Sequence, residues 1–330
     1  MRRTPKRERE EQLNRTLVIL VALLLSRAAP AWSGQTQAAQ PARVGTQATA
    51  ITDAARQRQI GIKFYYPLDT TGPAAVILIS HGGDGSDSGE NGLSHLGGAY
   101  ASHGFLAISL GHRRSADQRA HRRDRPADVS FVLDALARGA LPLPREFRGT
   151  ANLDQVGHVG HSWGAYTAHA VAGARFDQGE FRDPRVDAVV AISPQGPDQF
   201  GSFDRGPNDN SWSSVKIPAF VLAGGAELHG PPAGYRMDRW RAKPFERFPA
   251  IGDKFLAILP NQDHGQMGSG GAPAVKAYIS ENTAAFFDAY VRGRLSRACD
   301  IGRLVFFDGT RLERKTDVNG AGLQKCPPLE

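Results

Sequence analysis

Short, almost wholly apolar segments recur along this chain and are separated by segments of helical character. The apolar segments that predict strands are Ile60–Tyr66, Ala75–Ser80, Phe105–Leu110, Val156–His161, Val186–Ile192, Ile217–Ala223 and Lys254–Leu259. Helices are predicted over Pro126–Ala137, Trp163–Ala172 and Pro273–Val291. Strands with no polar alternation are buried on both faces, which requires a mostly parallel sheet with helices on each side. The sequence therefore predicts an α/β fold.

Composition supports a globular chain and argues against nucleic acid as a partner. The 330 residues are 41% hydrophobic and 22% charged, which is ordinary for a folded protein. Residues 1–31 hold seven basic and three acidic side chains, so they account for four of the seven net positive charges. The net positive charge that remains on the rest of the chain is too small to indicate nucleic-acid binding. No linker divides residues 51–330, which predicts one domain there.

The N-terminus has the pattern of a targeting segment. A charged, basic start is followed by the apolar run Leu17–Leu25, and Ala29-Pro30-Ala31 has the small-x-small pattern of a cleavage site. The apolar run is about half the roughly 20 residues that a spanning helix needs. We expect a signal peptide over 1–31, cleaved near Ala31, and an exported, periplasmic or secreted chain without stable membrane insertion. An uncleaved membrane anchor is the alternative.

Residues 32–50 are rich in Gln, Ala and Thr and show no periodicity, which predicts a flexible linker. The two cysteines, Cys299 and Cys326, predict a disulfide if the chain is exported. Such a bond closes a loop of about 28 residues and contributes on the order of 3 kcal/mol in the chain-entropy model. Two buried free thiols are the alternative.

No metal or cofactor is expected from the sequence. The cysteines and histidines have no metal-ligand spacing. Asp84–Gly89 is similar to the start of a calcium loop, but the twelfth position is His95 and no helix precedes the loop. We therefore predict chemistry carried by side chains and backbone alone.

The motif Gly160-His161-Ser162-Trp163-Gly164 lies between a predicted strand and a predicted helix. It matches G-x-S-x-G, in which a sharp turn exposes the serine hydroxyl and the glycines leave room for that turn. Ser162 is therefore the predicted nucleophile. The alternative is a glycine-rich turn whose serine caps the helix.

A serine hydroxyl needs a base to take its proton, and an acid to orient that base. His264 follows the Lys254–Leu259 strand and precedes the last helix, where a loop can bring it over Ser162. Glu227 follows the Ile217–Ala223 strand and is the predicted acid. Other carboxylates remain candidates for this role: Asp238, Asp253 and Asp263.

The glycine-rich segment His81–Gly85 follows the Ala75–Ser80 strand and offers unhindered backbone N–H groups. We predict that the N–H groups of Gly83 and Trp163 form an oxyanion hole. An ordinary glycine turn is the alternative for Gly83. The Trp163 ring is expected either to pack the helix on the sheet or to line an acyl pocket.

Residues 112–125 are densely basic, and the segment predicts a solvated surface loop. Its basic residues are His112, Arg113, Arg114, Arg119, His121, Arg122, Arg123 and Arg125. An anion-attracting rim near the substrate entrance is the alternative. No aromatic residues are interleaved, which argues against binding of single-stranded nucleic acid.

Four sequence blocks resemble one known family. They are RPADVSFVLD from Arg125, GHSWGAY from Gly160, SPQGP from Ser193, and GDKFLAIL from Gly252 with Asp263-His264 after it. Over residues 58–295 the chain resembles the predicted dienelactone hydrolase group of exported α/β-hydrolases. That group is similar to platelet-activating-factor acetylhydrolases and, more distantly, to cutinase-like polyesterases. The resemblance implies an α/β-hydrolase fold and hydrolysis of carboxylic esters, with Ser162 and His264 at the matching positions.

The chain departs from this group at three positions. The acetylhydrolases carry their acid after the strand that follows the nucleophile helix, where this chain has Ser193. Many members have Asp where this chain has Glu227, and true dienelactone hydrolases use cysteine where it has Ser162. We therefore expect a serine hydrolase of small-molecule or polymeric esters. A lipase, polyesterase or peptidase with the same residues, or an inactive binding protein, are the alternatives.

Overall fold

The computed structural model describes residues 41–83, 89–115, 117–176, 179–197, 210–229 and 239–316. The chain divides into residues 1–40 and 41–330, and every described residue belongs to the second unit. The predicted signal peptide and Cys326 lie outside the described residues, so neither the cleavage site nor the disulfide is tested. Of the helices in the described part, none combines the length and hydropathy that crossing a bilayer requires.

Among the described residues, nine strands form one central sheet. In chain order the strands are β1 (Val44–Asp53), β2 (Arg58–Pro67), β3 (Pro73–Ser80), β4 (Leu106–Gly111), β5 (Thr150–His161), β8 (Val186–Ile192), β9 (Ala219–Gly224), β10 (Lys254–Leu259) and β11 (Arg311–Lys315). The short pair β6 (Arg175–Phe176) and β7 (Gly179–Glu180) forms a separate ribbon. The order across the main sheet is β1-β2-β4-β3-β5-β8-β9-β10-β11. The strands from β4 to β10 are parallel, whereas β1, β2 and β11 pair antiparallel with their neighbours.

Helices cover both faces of the sheet. They are α1 (Ser94–Ser102), α2 (Gln118–Ala137), α3 (Trp163–Val171), α4 (Lys243–Arg247), α5 (His264–Met267) and α6 (Pro273–Tyr290). Alternate residues of β3 enter two different cores: Val76 packs with α2 and α3, and Ile77 packs with α1 and α6. Because both strand faces are buried, the parallel strands need apolar residues at every position. This confirms the predicted α/β fold with a mostly parallel central sheet.

The predicted linker over residues 32–50 is wrong from Val44 onward, because β1 begins there. β1 pairs along its whole length with β2, from Val44 opposite Pro67 to Asp53 opposite Arg58. It lies at the edge of the sheet and leaves most of its side chains exposed. Backbone hydrogen bonds rather than apolar burial hold the strand, so its composition carries no strand pattern.

The expected surface loop over residues 112–125 is also wrong for most of its length. Helix α2 begins at Gln118, eight residues before the predicted start at Pro126, and Asp117 caps it by accepting from the Ala120 N–H at 2.7 Å. His112, His121, Arg122 and Arg125 are buried. His112 is hydrogen-bonded to Ser80 and Asp128, and Arg125 to Thr167 and the backbone oxygen of His81. A prediction of exposure from composition does not take such buried partners into account.

Pro126 lies in the interior of α2, where a proline supplies no N–H to the carbonyl four residues earlier. That carbonyl belongs to Arg122, and the hydroxyl of Tyr166 on α3 donates to it at 3.0 Å. The contact satisfies a buried acceptor and joins α2 to α3, the helix that follows the nucleophile turn.

Candidate active site

Ser162 lies at the turn between β5 and α3, with φ 56° and ψ −115°. Positive φ in a residue with a side chain costs of the order of 1–3 kcal/mol, and such strain is concentrated at functional turns. A Cβ added at Gly164 would lie 1.9 Å from the backbone oxygen of Ser80, and one at Gly160 would lie 2.2 Å from Gly164. The two motif glycines are therefore required by close backbone contacts around the serine.

Three side chains from three loops form a chain of hydrogen bonds. Ser162 follows β5, Glu227 ends the 3-10 helix Gly225–Glu227 after β9, and His264 begins α5 after β10. His264 Nε2 lies 2.9 Å from Ser162 Oγ, and His264 Nδ1 lies 2.7 Å from Glu227 Oε2. A carboxylate can only accept, so Nδ1 carries the proton and Nε2 is free to accept from the serine hydroxyl. The structure thus brings together the predicted nucleophile, base and acid.

The other candidate acids have different positions. Asp263 caps α5, accepting from the Gln266 N–H at 2.8 Å, and Asp253 accepts from the Tyr290 hydroxyl at 2.6 Å. Asp238 lies outside the described residues. Among the described candidates, Glu227 is the carboxylate hydrogen-bonded to His264.

Glu227 is almost fully buried and has several donors. Its Oε1 accepts from the Ser193 hydroxyl and from the Gly224 N–H, and its Oε2 pairs with Arg241 in addition to His264. Burial acts to raise the pKa of Glu227, but the bond from His264, the Arg241 charge and the Ser193 bond outweigh it and lower the pKa below its usual value. The carboxyl is therefore held ionised.

Arg241 was not identified as a functional residue in the sequence. It belongs to the 3-10 helix Trp240–Ala242, is buried, and donates through Nη1 to the backbone oxygens of Ser193 and Pro194 at 3.0 and 2.8 Å. Burial lowers the pKa of Arg241, although the adjacent Glu227 opposes that shift. One guanidinium thus links the acid to the loop after β8, a contact for which the sequence gives no signal.

Ser193 lies at the start of the loop that follows β8. Its backbone has φ 49°, and its hydroxyl donates to Glu227. The loop after β8 therefore contributes a donor to the carboxylate, while the carboxylate itself comes from the loop after β9.

The predicted oxyanion residues lie next to the serine. A Cβ added at Gly82 would lie 3.4 Å from Ser162 Cβ, and one at Gly83 would lie 3.9 Å from Trp163 Cδ1. The Trp163 ring packs edge-on against His121 of α2, at 4.9 Å between centroids, and against Tyr166 at 5.9 Å. Helix-to-helix packing is therefore one role of Trp163. Residues 84–88 of this loop lie outside the described residues.

His161 joins the serine turn to the base. Its Nε2 donates to the backbone oxygen of His264 at 2.9 Å, and the two rings lie 4.7 Å apart. Burial first, and then the nearby His264, lower the pKa of His161 to about 4. His161 therefore stays neutral near pH 7 and fixes the backbone that carries the base.

A second Ser-His-Asp arrangement lies in the interior of the fold. Ser80 Oγ lies 2.8 Å from His112 Nε2, and His112 Nδ1 lies 3.1 Å from Asp128 Oδ2. Asp128 is also paired with Arg58 at 3.0 Å. Ser80 and Asp128 are wholly buried, so this set cannot meet a substrate without unfolding. It holds the ends of β3 and β4 to α2.

Within the described ranges, no group of three or more His, Cys, Asp or Glu side chains could hold a metal ion. The serine, imidazole and carboxylate can carry out nucleophilic attack and proton transfer by themselves. A scan against protein-family models gave no match, and a search of curated proteins found no relative.

Proposed function

We propose that this chain is an exported serine hydrolase of the α/β-hydrolase fold that cleaves carboxylic esters through an acyl-enzyme on Ser162. The observation that carries the proposal is the hydrogen-bond chain from Ser162 through His264 to Glu227 at a strained strand-to-helix turn. The order serine, acid, histidine along the chain is that of α/β-hydrolases. The apolar N-terminal run supports export.

In the proposed first step, Ser162 Oγ attacks the ester carbonyl carbon and its proton passes to His264 Nε2. The carbonyl oxygen becomes an oxyanion, which the N–H groups of Gly83 and Trp163 stabilise. The tetrahedral intermediate then collapses, and the alcohol leaves with the proton from Nε2. Glu227 keeps the imidazole in one tautomer and stabilises its charged form, for which its ionised state is suited.

In the second step, water attacks the acyl carbon while His264 Nε2 takes one of its protons. Collapse of the second tetrahedral intermediate breaks the bond to Ser162 Oγ, which regains the proton, and releases the carboxylic acid. The cycle consumes one ester and one water, and no cofactor is needed. The blocks shared with the predicted dienelactone hydrolase group support the same chemistry.

The test is turnover of p-nitrophenyl esters from acetate to palmitate by wild type and Ser162→Ala, with the matching p-nitroanilides beside them. We expect wild type to cleave one part of the ester series and Ser162→Ala to retain less than about 0.1% of that turnover. Faster cleavage of the anilides would indicate a peptidase with the same residues. No turnover of any substrate by folded wild type would indicate an inactive binding protein.

A further inference from the structure

Arg125, on α2, lies beneath the loop that follows β3. Its side chain is buried, at 1% exposure. Nη2 donates to the backbone oxygen of His81, and Nη1 lies 3.5 Å from the backbone oxygen of Gly82. The guanidinium therefore faces two consecutive carbonyls of the loop that contains Gly83.

His81 holds the second of these carbonyls from the same loop. The backbone N–H of His112 donates to His81 Nε2 at 3.0 Å, so that nitrogen carries no proton. The proton is therefore on Nδ1, which donates to the Gly82 oxygen at 3.0 Å. Burial, followed by the nearby Arg125 charge, lowers the pKa of His81 far below its usual value, which keeps this tautomer neutral.

These contacts set the direction of the backbone N–H groups. In a trans peptide the carbonyl and the N–H of the next residue point in opposite directions, and no described peptide bond is cis. With the carbonyls of His81 and Gly82 held toward α2, the N–H groups of Gly82 and Gly83 point away from it. Ser162 borders the same loop, since a Cβ added at Gly82 would lie 3.4 Å from Ser162 Cβ.

Arg125 is also connected, through Thr167, to the segment that carries the Trp163 N–H, the second proposed oxyanion donor. Its Nε donates to Thr167 Oγ1 at 3.1 Å, and that hydroxyl donates to the backbone oxygen of Trp163 at 2.9 Å. The guanidinium thus connects the loop after β3 to the first turn of α3, where the Trp163 N–H begins the helix.

We propose that Arg125 and His81 are positioning residues that orient the Gly82–Gly83 peptide and the first turn of α3, so that the N–H groups of Gly83 and Trp163 converge on one oxyanion. The inference rests on the proposed ester hydrolysis. Neither side chain contacts the reacting atoms; each acts through the backbone that it holds.

Donors aimed at charge that develops in the transition state raise kcat without improving substrate binding. Loss of one oxyanion donor typically lowers kcat by about 100-fold to 1,000-fold. We therefore expect Arg125→Met to lower kcat by at least about 30-fold with KM changed less than about threefold. Affinity for an alkylboronic acid, which forms a tetrahedral adduct on the serine, should fall in parallel with kcat.

Arg122→Met is the matched control. Arg122 is also a buried arginine, one turn earlier on α2, and it has no hydrogen bond with the described part of the loop after β3. We expect Arg122→Met to keep kcat within about threefold of wild type. An equal loss of kcat in both variants would overturn the inference, because it would indicate a general effect on α2.

A second pair of variants decides the matter even if Arg125→Met fails to fold. The side-chain amide nitrogen of Asn is bonded to Cγ, as Nδ1 is in histidine. The amide nitrogen of Gln is one carbon farther out and lies nearer the position of Nε2. His81→Asn therefore keeps a donor for the Gly82 oxygen, and His81→Gln loses it. We expect His81→Asn to retain kcat within about fivefold and His81→Gln to lose it by at least about 30-fold, at similar unfolding temperatures.

Equal kcat in the two His81 variants would overturn the proposed orientation of the peptide while leaving the ester hydrolysis intact. Failure of the proposed function gives a different result, since wild type itself would then neither turn over esters nor bind the boronic acid at Ser162.

Discussion

Glu227 and Arg241 form a buried ion pair on the side of the carboxylate that also receives His264. The same guanidinium donates to two carbonyls of the loop after β8, so its position is fixed independently of Glu227. A buried cation in direct contact with a carboxylate favours its ionised form. The proposed acid is therefore supported by a charge from a different segment, the 3-10 helix Trp240–Ala242.

Arg241→Met should move the acidic limb of the kcat/KM profile to higher pH, by roughly one unit. Without the guanidinium, the pKa of Glu227 rises. The ionised carboxylate that orients His264 is therefore lost at a higher pH in the variant. The measurement is kcat/KM from pH 4 to pH 9.

Lys243→Met removes a cation from the next helical turn that pairs with Glu246 rather than Glu227, and it serves as the control. Its acidic limb should coincide with that of wild type. An unshifted profile in Arg241→Met would contradict the role given to the guanidinium.

Glu227→Gln should lower kcat by about four orders of magnitude, as amide replacement of a triad acid typically does. The amide cannot stabilise the imidazolium and favours the wrong tautomer of His264. Asp263→Asn should be mild, because Asp263 caps α5 and asparagine caps helices equally well. Asp253→Asn should also keep most of the activity. If either aspartate variant is inactive while Glu227→Gln is near wild type, the acid lies elsewhere.

Stability should fall as the solution is acidified below about pH 6.5, the ordinary histidine pKa. Burial is the leading cause that lowers the pKa of five described histidines in the folded state: His81, His112, His158, His161 and His169. Between pH 6.5 and the lower folded value, the unfolded chain binds more protons. The stabilisation is therefore complete above pH 6.5 and is lost as the pH falls toward about 3.

His169 tests this dependence away from the serine. Its Nδ1 accepts from Trp212 Nε1 at 3.2 Å, and asparagine can supply the same acceptor without titrating. Each histidine whose pKa is lowered in this way makes the free energy of unfolding about 2 kcal/mol smaller at pH 5 than at pH 7. In urea unfolding, the free energy of unfolding of His169→Asn should therefore fall less between pH 7 and pH 5 than that of wild type, by about this amount. An identical loss in wild type and variant would contradict the account.

The glycines of the serine turn give a direct test of packing. Gly164→Ala should destabilise the fold by at least about 4 kcal/mol, because the new Cβ would meet the Ser80 backbone oxygen at 1.9 Å. Gly98 in α1 is the control, since nothing lies within 4 Å of an added Cβ there. Gly98→Ala should stabilise by about 0.5–1 kcal/mol. Thermal unfolding of both variants distinguishes a position that requires glycine from one that tolerates alanine. Equal stability of the two variants would contradict the requirement for glycine at position 164.

The sequence was sufficient for the parts of the fold that depend on local pattern. Strands β8 and β10 have the predicted bounds, because a strand buried on both faces is apolar throughout. The places of Ser162, Glu227 and His264 after predicted strands indicate their roles, and the parallel sheet brings those strand ends together.

The parts that could not be predicted depend on distant partners. β1 is recognisable as a strand only through its pairing with β2. The first turns of α2 contain the buried Arg125, whose acceptors are Thr167 on α3 and the backbone oxygen of His81. Arg241 and Arg125 are ordinary arginines in sequence. Their roles follow from carbonyls of loops far from them in the chain, a relationship that composition and spacing do not encode.

The most direct test of the central claim is the site at which a fluorophosphonate reacts. A phosphonate captures the activated hydroxyl as a stable tetrahedral adduct, whatever ester the protein prefers. Intact mass spectrometry of wild type should show one adduct, peptide mapping should place it on Ser162, and Ser162→Ala and His264→Ala should remain unlabelled. An adduct on another serine, or equal labelling of Ser162→Ala, would contradict the assignment of Ser162 as the nucleophile.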